Sequence, residues 1–175
     1  MSEKTNRLRR SRGIANSLLL CAILTGLGGC STDAGGPVST SPTPVATLVG
    51  YDGCQQSLSP GPAIDCLEYN YTHGGTLRLR HIGAAFNCCP GEIYADITIT
   101  DGEIVIDEKE KEHACRCLCL YDVDYTVKHL KAGKYEIRVI EHALLEHDEE
   151  LICQVDLQVS PSGICCVERT HYPWQ

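Results

Sequence analysis

The sequence predicts an all-β, disulfide-rich domain built as an antiparallel β-sandwich. Three observations carry that expectation. Apolar residues recur at every second position through most of the chain after residue 76. Alternation of this kind puts one face of an extended strand on a core and the other in water, as in an antiparallel sheet solvated on one side. Turn residues separate the alternating runs, Asp101-Gly102 being the sharpest, a dipeptide suited to a tight hairpin. Finally, 12 cysteines fall within 175 residues.

Residues 1–29 read as a cleaved signal peptide. Lys4, Arg7, Arg9, Arg10 and Arg12 form a basic start, Ile14 to Leu27 is apolar, and Gly28-Gly29 supplies small residues at the cut. The apolar run has about fourteen residues, short of the roughly 20 that a membrane-spanning helix needs. Cys30 directly after the glycines resembles the lipobox of bacterial lipoproteins. That resemblance implies cleavage before Cys30 and acylation there, palmitate included. Stable attachment takes more than one chain, each buried methylene contributing about 0.8 kcal/mol. The competing reading is an ordinary signal peptide that Cys30 happens to follow. An Asp after the cysteine would resemble the inner-membrane retention signal of Gram-negative lipoproteins. Ser31 stands there instead, so the outer membrane is the expected location in such a host. Arg9-Arg10 resembles a twin-arginine signal, which Ser11-Arg12-Gly13 fits poorly.

Residues 30–46 comprise Cys30 and a run rich in Ser, Thr, Gly and Pro, expected to be a flexible tether at up to roughly 3.3 Å per residue. Residues 47–175 should form one domain, long enough to bury a core. Five of the 15 Lys and Arg residues, but one of the 23 Asp and Glu residues, lie before Cys30. The exported part is therefore more acidic than the −8 of the whole chain. That argues against nucleic acid as a partner, since phosphate binding needs basic surface. Asp107 to Glu112 and Glu146 to Glu150 hold most of the concentrated acid and read as solvated loop tips, with weak divalent-cation binding as the alternative. Neither has EF-hand spacing.

Within the domain, Leu77, Leu79 and His81 alternate with Arg78, Arg80 and Ile82, and Ile93, Ala95, Ile97 and Ile99 with Tyr94, Asp96 and Thr98. Ile104 and Ile106 follow the Asp101-Gly102 turn. Val123, Tyr125 and Val127 form the next series, then Tyr135, Ile137 and Val139, then Leu151, Cys153, Val155, Leu157 and Val159. Glu141 to Glu150 has the length of a short helix, but it lies between two strand patterns and is expected to be a hairpin loop. His81 on a strand reads as a packed or surface residue. Tyr69 and Tyr71 share a strand face as packing or edge aromatics, and Trp174 either plugs a groove or lies exposed.

The segment Leu130-Lys131-Ala132-Gly133-Lys134-Tyr135-Glu136-Ile137-Arg138-Val139 resembles the turn and penultimate strand of immunoglobulin-like domains. The resemblance implies a tyrosine corner, Tyr135 bonding back to upstream backbone with Gly133 in the turn. Ile137 stands where antibody domains carry a cysteine.

Cys21 lies in the leader and Cys30 is the lipid attachment point. Ten cysteines remain: Cys54, Cys66, Cys88, Cys89, Cys115, Cys117, Cys119, Cys153, Cys165 and Cys166. Export into an oxidising space and an even count predict five disulfides. If Cys115 to Cys119 is a strand, its three sulfurs share a face, and the outer two lie about 13 Å apart, too far to bond each other. Adjacent cysteines diverge, so Cys88 and Cys89 are expected to bridge to two members of that triple. Cys153 with Cys165 and Cys166 would secure the last strands, and Cys54 with Cys66 would close an N-terminal loop. These are preferences among roughly 945 pairings, each bridge contributing about 2–4 kcal/mol. The alternative is a Zn or Cu site built from Cys88, Cys89, Cys115, Cys117, Cys119 and His113, since thiolates and imidazole are good ligands for both metals. The spacing is not that of a zinc ribbon. Asn87-Cys88-Cys89, Cys115 to Asp122 and Gly133-Lys134-Tyr135 together resemble uncharacterised Cys-rich bacterial lipoproteins. The resemblance implies a fold and no activity.

No sequence pattern points to catalysis. His142-Ala143-Leu144-Leu145-Glu146-His147 is one residue longer than the H-x-x-E-H metalloprotease motif. On a helix the two imidazoles would sit about 140° apart and could not share a metal. No G-x-S-x-G or P-loop is present. The expectation is a non-enzymatic, lipid-anchored binding or structural module of the cell envelope. It would have no cofactor, would contact the membrane through its lipid, and would take a protein or glycan partner. The alternative is a metal-binding lipoprotein using the thiolates or the His142–Glu150 loop.

Overall fold

A computed structural model describes residues 41–55 and 63–174. The leader, Cys30 and the tether as far as residue 40 lie outside them. Among the described residues there are nine strands and no helix, so none is long and apolar enough to cross a membrane.

The strands are β1 (Val45–Gln55), β2 (Ala63–Thr72), β3 (Thr76–Asn87), β4 (Ile93–Thr100), β5 (Glu103–Glu110), β6 (Leu118–Lys128), β7 (Lys134–Ile140), β8 (Leu151–Asp156) and β9 (Ser162–Arg169). They form a five-stranded sheet in the order β1-β6-β3-β2-β9 and a four-stranded sheet in the order β4-β5-β7-β8. All neighbours are antiparallel except β5 and β7, which run parallel from Glu103 opposite Glu136 to Asp107 opposite Ile140. The purely antiparallel expectation fails at that pair because β6 lies between the two strands in sequence but belongs to the other sheet. The crossover brings β7 back beside β5 in the same direction.

Both sheets feed one core. Leu67, Leu77, Leu79, Val123 and Val127 come from the larger sheet, and Ile104, Ile106, Ile137, Val139, Leu151 and Val155 from the smaller. These are the inward members of the alternating series. Asp101-Gly102 makes the β4–β5 hairpin with Gly102 at φ 94°, and 141–150 is the loop between β7 and β8. β1 begins at Val45, two residues inside the expected tether. Tyr135 Oη donates to Lys131 O at 2.9 Å.

Two local expectations are corrected. Cys115 and Cys117 precede β6 in irregular chain, so the triple is not one strand. The run Asp107 to Glu112 is not a solvated loop tip over its first half. β5 continues through it to Glu110, which turns Glu108 inward on the face of Ile104 and Ile106.

The ten cysteines form five disulfides: Cys54–Cys119, Cys66–Cys166, Cys88–Cys117, Cys89–Cys115 and Cys153–Cys165. Cys88 and Cys89 do bridge to the triple. The expected Cys54–Cys66 bridge does not form. β1 pairs with β6 and β2 with β9, so Cys54 lies beside Cys119 and Cys66 directly opposite Cys166. Cys153–Cys165 ties the smaller sheet to the larger.

Candidate functional site

The least ordinary feature of the core is its charge. Asp65, His81, Glu108, Glu141 and Arg169 are all buried. Each stands at the end of an apolar alternating series. Asp65 precedes Leu67 on β2, His81 follows Leu79 on β3 and Glu108 follows Ile106 on β5. Glu141 follows Val139 just past β7, and Arg169 follows Val167 at the end of β9. Strand periodicity therefore carries all five side chains inward, and the two sheets bring them together between their faces.

His81 is the centre. Its Nδ1 lies 2.8 Å from Glu108 Oε1 and its Nε2 lies 2.7 Å from Asp65 Oδ1. Tyr125 Oη donates to the same Glu108 oxygen at 2.6 Å. Arg169 spans Asp65 and Glu141. Its Nε donates to Asp65 Oδ2 at 2.9 Å and its Nη2 to Glu141 Oε2 at 2.8 Å. Nη1 donates to the Glu149 carbonyl in the β7–β8 loop. The guanidinium also lies 5.4 Å from the Trp174 ring centroid, and Trp174 Nε1 donates to Gly83 O at 2.8 Å. Trp174 thus plugs the core. Gly83 adopts φ 87° at the β3 bulge, where an added Cβ would lie 3.1 Å from Ile64 O.

The electrostatics follow from burial and neighbours. Burial pushes the His81 pKa down. The Glu108 charge and the hydrogen bonds that the ring donates to Asp65 and Glu108 outweigh it and hold the imidazole well above its usual value. Burial raises the Asp65 pKa, but the His81 hydrogen bond with the charges of His81 and Arg169 leaves it below the usual carboxylate value. Glu141 goes the other way. Burial, reinforced by the Asp65 and Glu108 charges against the opposing pull of His81, pushes it up to about 8. Glu141 Oε1 has no hydrogen-bond partner, although its side chain is 1 % exposed.

A cleft of about 500 Å³ opens onto this cluster. Glu108 and Glu141 line it, with Ala85, Phe86, Tyr94 and Leu118 as apolar wall. Two histidines stand on its lining and are exposed. His113 Nδ1 pairs with Glu110 Oε1 at 2.7 Å, and His142 Nε2 with Asp107 Oδ1 at 2.9 Å.

The sequence-predicted site residues fall differently. Cys30 lies outside the described residues. Cys88, Cys89, Cys115, Cys117 and Cys119 are near one another, but each sulfur is bonded to another sulfur, and His113 turns to Glu110. His142 and His147 sit on a loop rather than a helix. Sequence reasoning passed over Asp65, Glu108, Glu141 and Arg169. The signal that could have found them is a charged residue on the apolar phase of a strand, repeated on five elements.

Comparison of the chain with protein-family models, curated proteins and solved structures finds no match.

Proposed function

We propose that the chain is a lipid-anchored binding module of the cell envelope, of immunoglobulin-like architecture, with the cleft over the buried charged cluster as its ligand site. The observation that carries the reading is the pairing of a cleft of about 500 Å³ with a buried polar atom that makes no hydrogen bond, Glu141 Oε1, in a domain closed by five disulfides. Ligand sites commonly combine an apolar wall with a few convergent polar groups. The bridges suit an exported domain that holds its site rigid outside the cytoplasm. The basic start, apolar run and Gly28-Gly29-Cys30 support the anchor. The Tyr135–Lys131 bond and the shared two-sheet core support the immunoglobulin-like architecture. No catalytic activity is proposed.

The test has two parts. Mass spectrometry of the mature N-terminus should find acylated Cys30, and an unmodified Cys30 there rejects the anchor. Arrays of envelope glycans and peptides, probed with the full chain in detergent, should give a ligand whose binding falls at least tenfold for Tyr94→Ala. Failure to find a ligand, or a ligand indifferent to that substitution, rejects the cleft.

A further inference from the structure

We propose that Asp65, His81 and Glu141 form a site for a divalent first-row metal ion, Zn2+ being the best fit, at the floor of the cleft. This deepens the reading of the cleft as a binding site, and it rests on that reading only for the ion's route inward.

The three residues each offer a donor atom within 4.8 Å of the others. His81 Nε2 lies 2.7 Å from Asp65 Oδ1 and 3.9 Å from Glu141 Oε1. The atoms facing away from this point are already engaged. Arg169 holds Asp65 Oδ2 and Glu141 Oε2, so the free oxygen of each carboxylate turns toward the imidazole. Glu108 holds His81 Nδ1 and is itself held by Tyr125. Metal-bound histidines typically donate their second nitrogen to a carboxylate in this way, which fixes the ring and raises its basicity.

The second, independent observation is Glu141 Oε1. Oε1 is buried and makes no hydrogen bond, and native cores seldom leave a buried polar atom so without a reason. A cation between the three donors supplies a partner.

The spacing is compatible. Ligand bonds of about 2.0–2.2 Å at tetrahedral angles separate donor atoms by about 3.3 Å. The observed 2.7 and 3.9 Å bracket that value. Lengthening the Asp65 distance and shortening the Glu141 distance by about 0.6 Å each brings both to it. The cation takes the place of the hydrogen that His81 Nε2 now shares with Asp65, while Nδ1–H keeps its bond to Glu108. Two carboxylates and one neutral imidazole offset the two positive charges. One nitrogen and two oxygen donors suit Zn2+ rather than thiophilic Cu(I). Of the three ligands Glu141 lines the cleft, which gives the ion its route inward.

The experiment is calorimetric titration of Zn2+ into the oxidised full chain in detergent, with the zinc located by anomalous diffraction. We expect one ion per chain, with a peak about 2.0–2.1 Å from His81 Nε2. Glu141→Gln should weaken binding at least 30-fold without lowering the thermal midpoint. His73→Ala, which removes an exposed imidazole in the β2–β3 turn outside the cleft, should change affinity less than threefold. Absence of binding, undiminished binding by Glu141→Gln, loss through His73→Ala, or a peak elsewhere overturns the assignment. Should Glu141→Gln fail to fold, the anomalous peak decides alone. A zinc failure leaves the organic-ligand test of the cleft standing. A ligand indifferent to Tyr94→Ala leaves the zinc result standing.

Discussion

Arg169→Met isolates the energetics of the buried cluster. Methionine keeps an apolar stem beside Trp174 but removes the guanidinium that holds Asp65 Oδ2 and Glu141 Oε2. With Asp65 and Glu108 as carboxylates, His81 and Arg169 as cations and Glu141 protonated, the cluster is formally neutral. The substitution leaves it one negative charge in excess, fully buried. Removing one partner of a buried ion pair costs about 3–5 kcal/mol, because the other charge is left uncompensated. A domain of roughly 130 residues unfolds with an entropy of about 0.28 kcal/mol/K, so 4 kcal/mol lowers Tm by about 14 °C. Thermal unfolding at pH 6, followed by circular dichroism without reductant, measures it. Asp65→Asn combined with Arg169→Met restores neutrality and should recover at least half of the loss. A fall of under 3 °C for the single variant, or a double variant no better than the single, refutes this charge accounting.

Stability should fall as pH rises above mild acidity. Glu141, raised from 4.5 to about 8, and His81, held well above 6.5, both bind more protons when folded. Their contributions are complete below the unfolded values and are lost as pH climbs through the folded ones. Asp65, lowered below 3.8, gives the opposite loss in strong acid. Urea midpoints should therefore peak near about pH 5 and decline toward pH 9, and a flat profile contradicts the shifts. Gly83→Ala forces a side chain into φ 87° against Ile64 O and should cost about 1–3 kcal/mol in urea unfolding; a change under about 0.5 kcal/mol would show the bulge relaxes freely. Replacing Cys66 and Cys166 together by Ala should cost about 4 kcal/mol, the bridge closing a separation of 100 residues. Unchanged guanidinium midpoints in the non-reduced variant would deny it that role.

Much of the fold was legible because period-two alternation is a direct consequence of strand geometry. Leu77 to His81, Ile93 to Ile99, Val123 to Val127 and Tyr135 to Val139 all lie in strands of the described fold. β1 and β9 were harder. Val45, Val49 and Tyr51 on β1 and Ile164 on β9 are exposed, so apolar residues there mark outer faces and sheet edges as well as core. The parallel β5–β7 pair depends on which sheet β6 joins, which no local pattern records. Cysteine pairing was legible where chemistry constrained it, at Cys88 and Cys89. It was not legible at Cys54 and Cys66, whose partners are fixed by strand order. The site was hidden by an ordinary assumption. Glu108 lies in a run of six charged residues that resembles a solvated tip, yet it shares the phase of Ile104 and Ile106. Periodicity outranked composition there, because His81 and Tyr125 supply the hydrogen bonds that make the burial tolerable.

The nitrogen-15 spectrum of the His81 ring, followed across a pH titration without added metal, tests the buried cluster most directly. An imidazole bonded through both nitrogens to carboxylates should show two protonated nitrogens and keep them well past pH 6.5. A ring that is neutral at pH 6 would contradict the account.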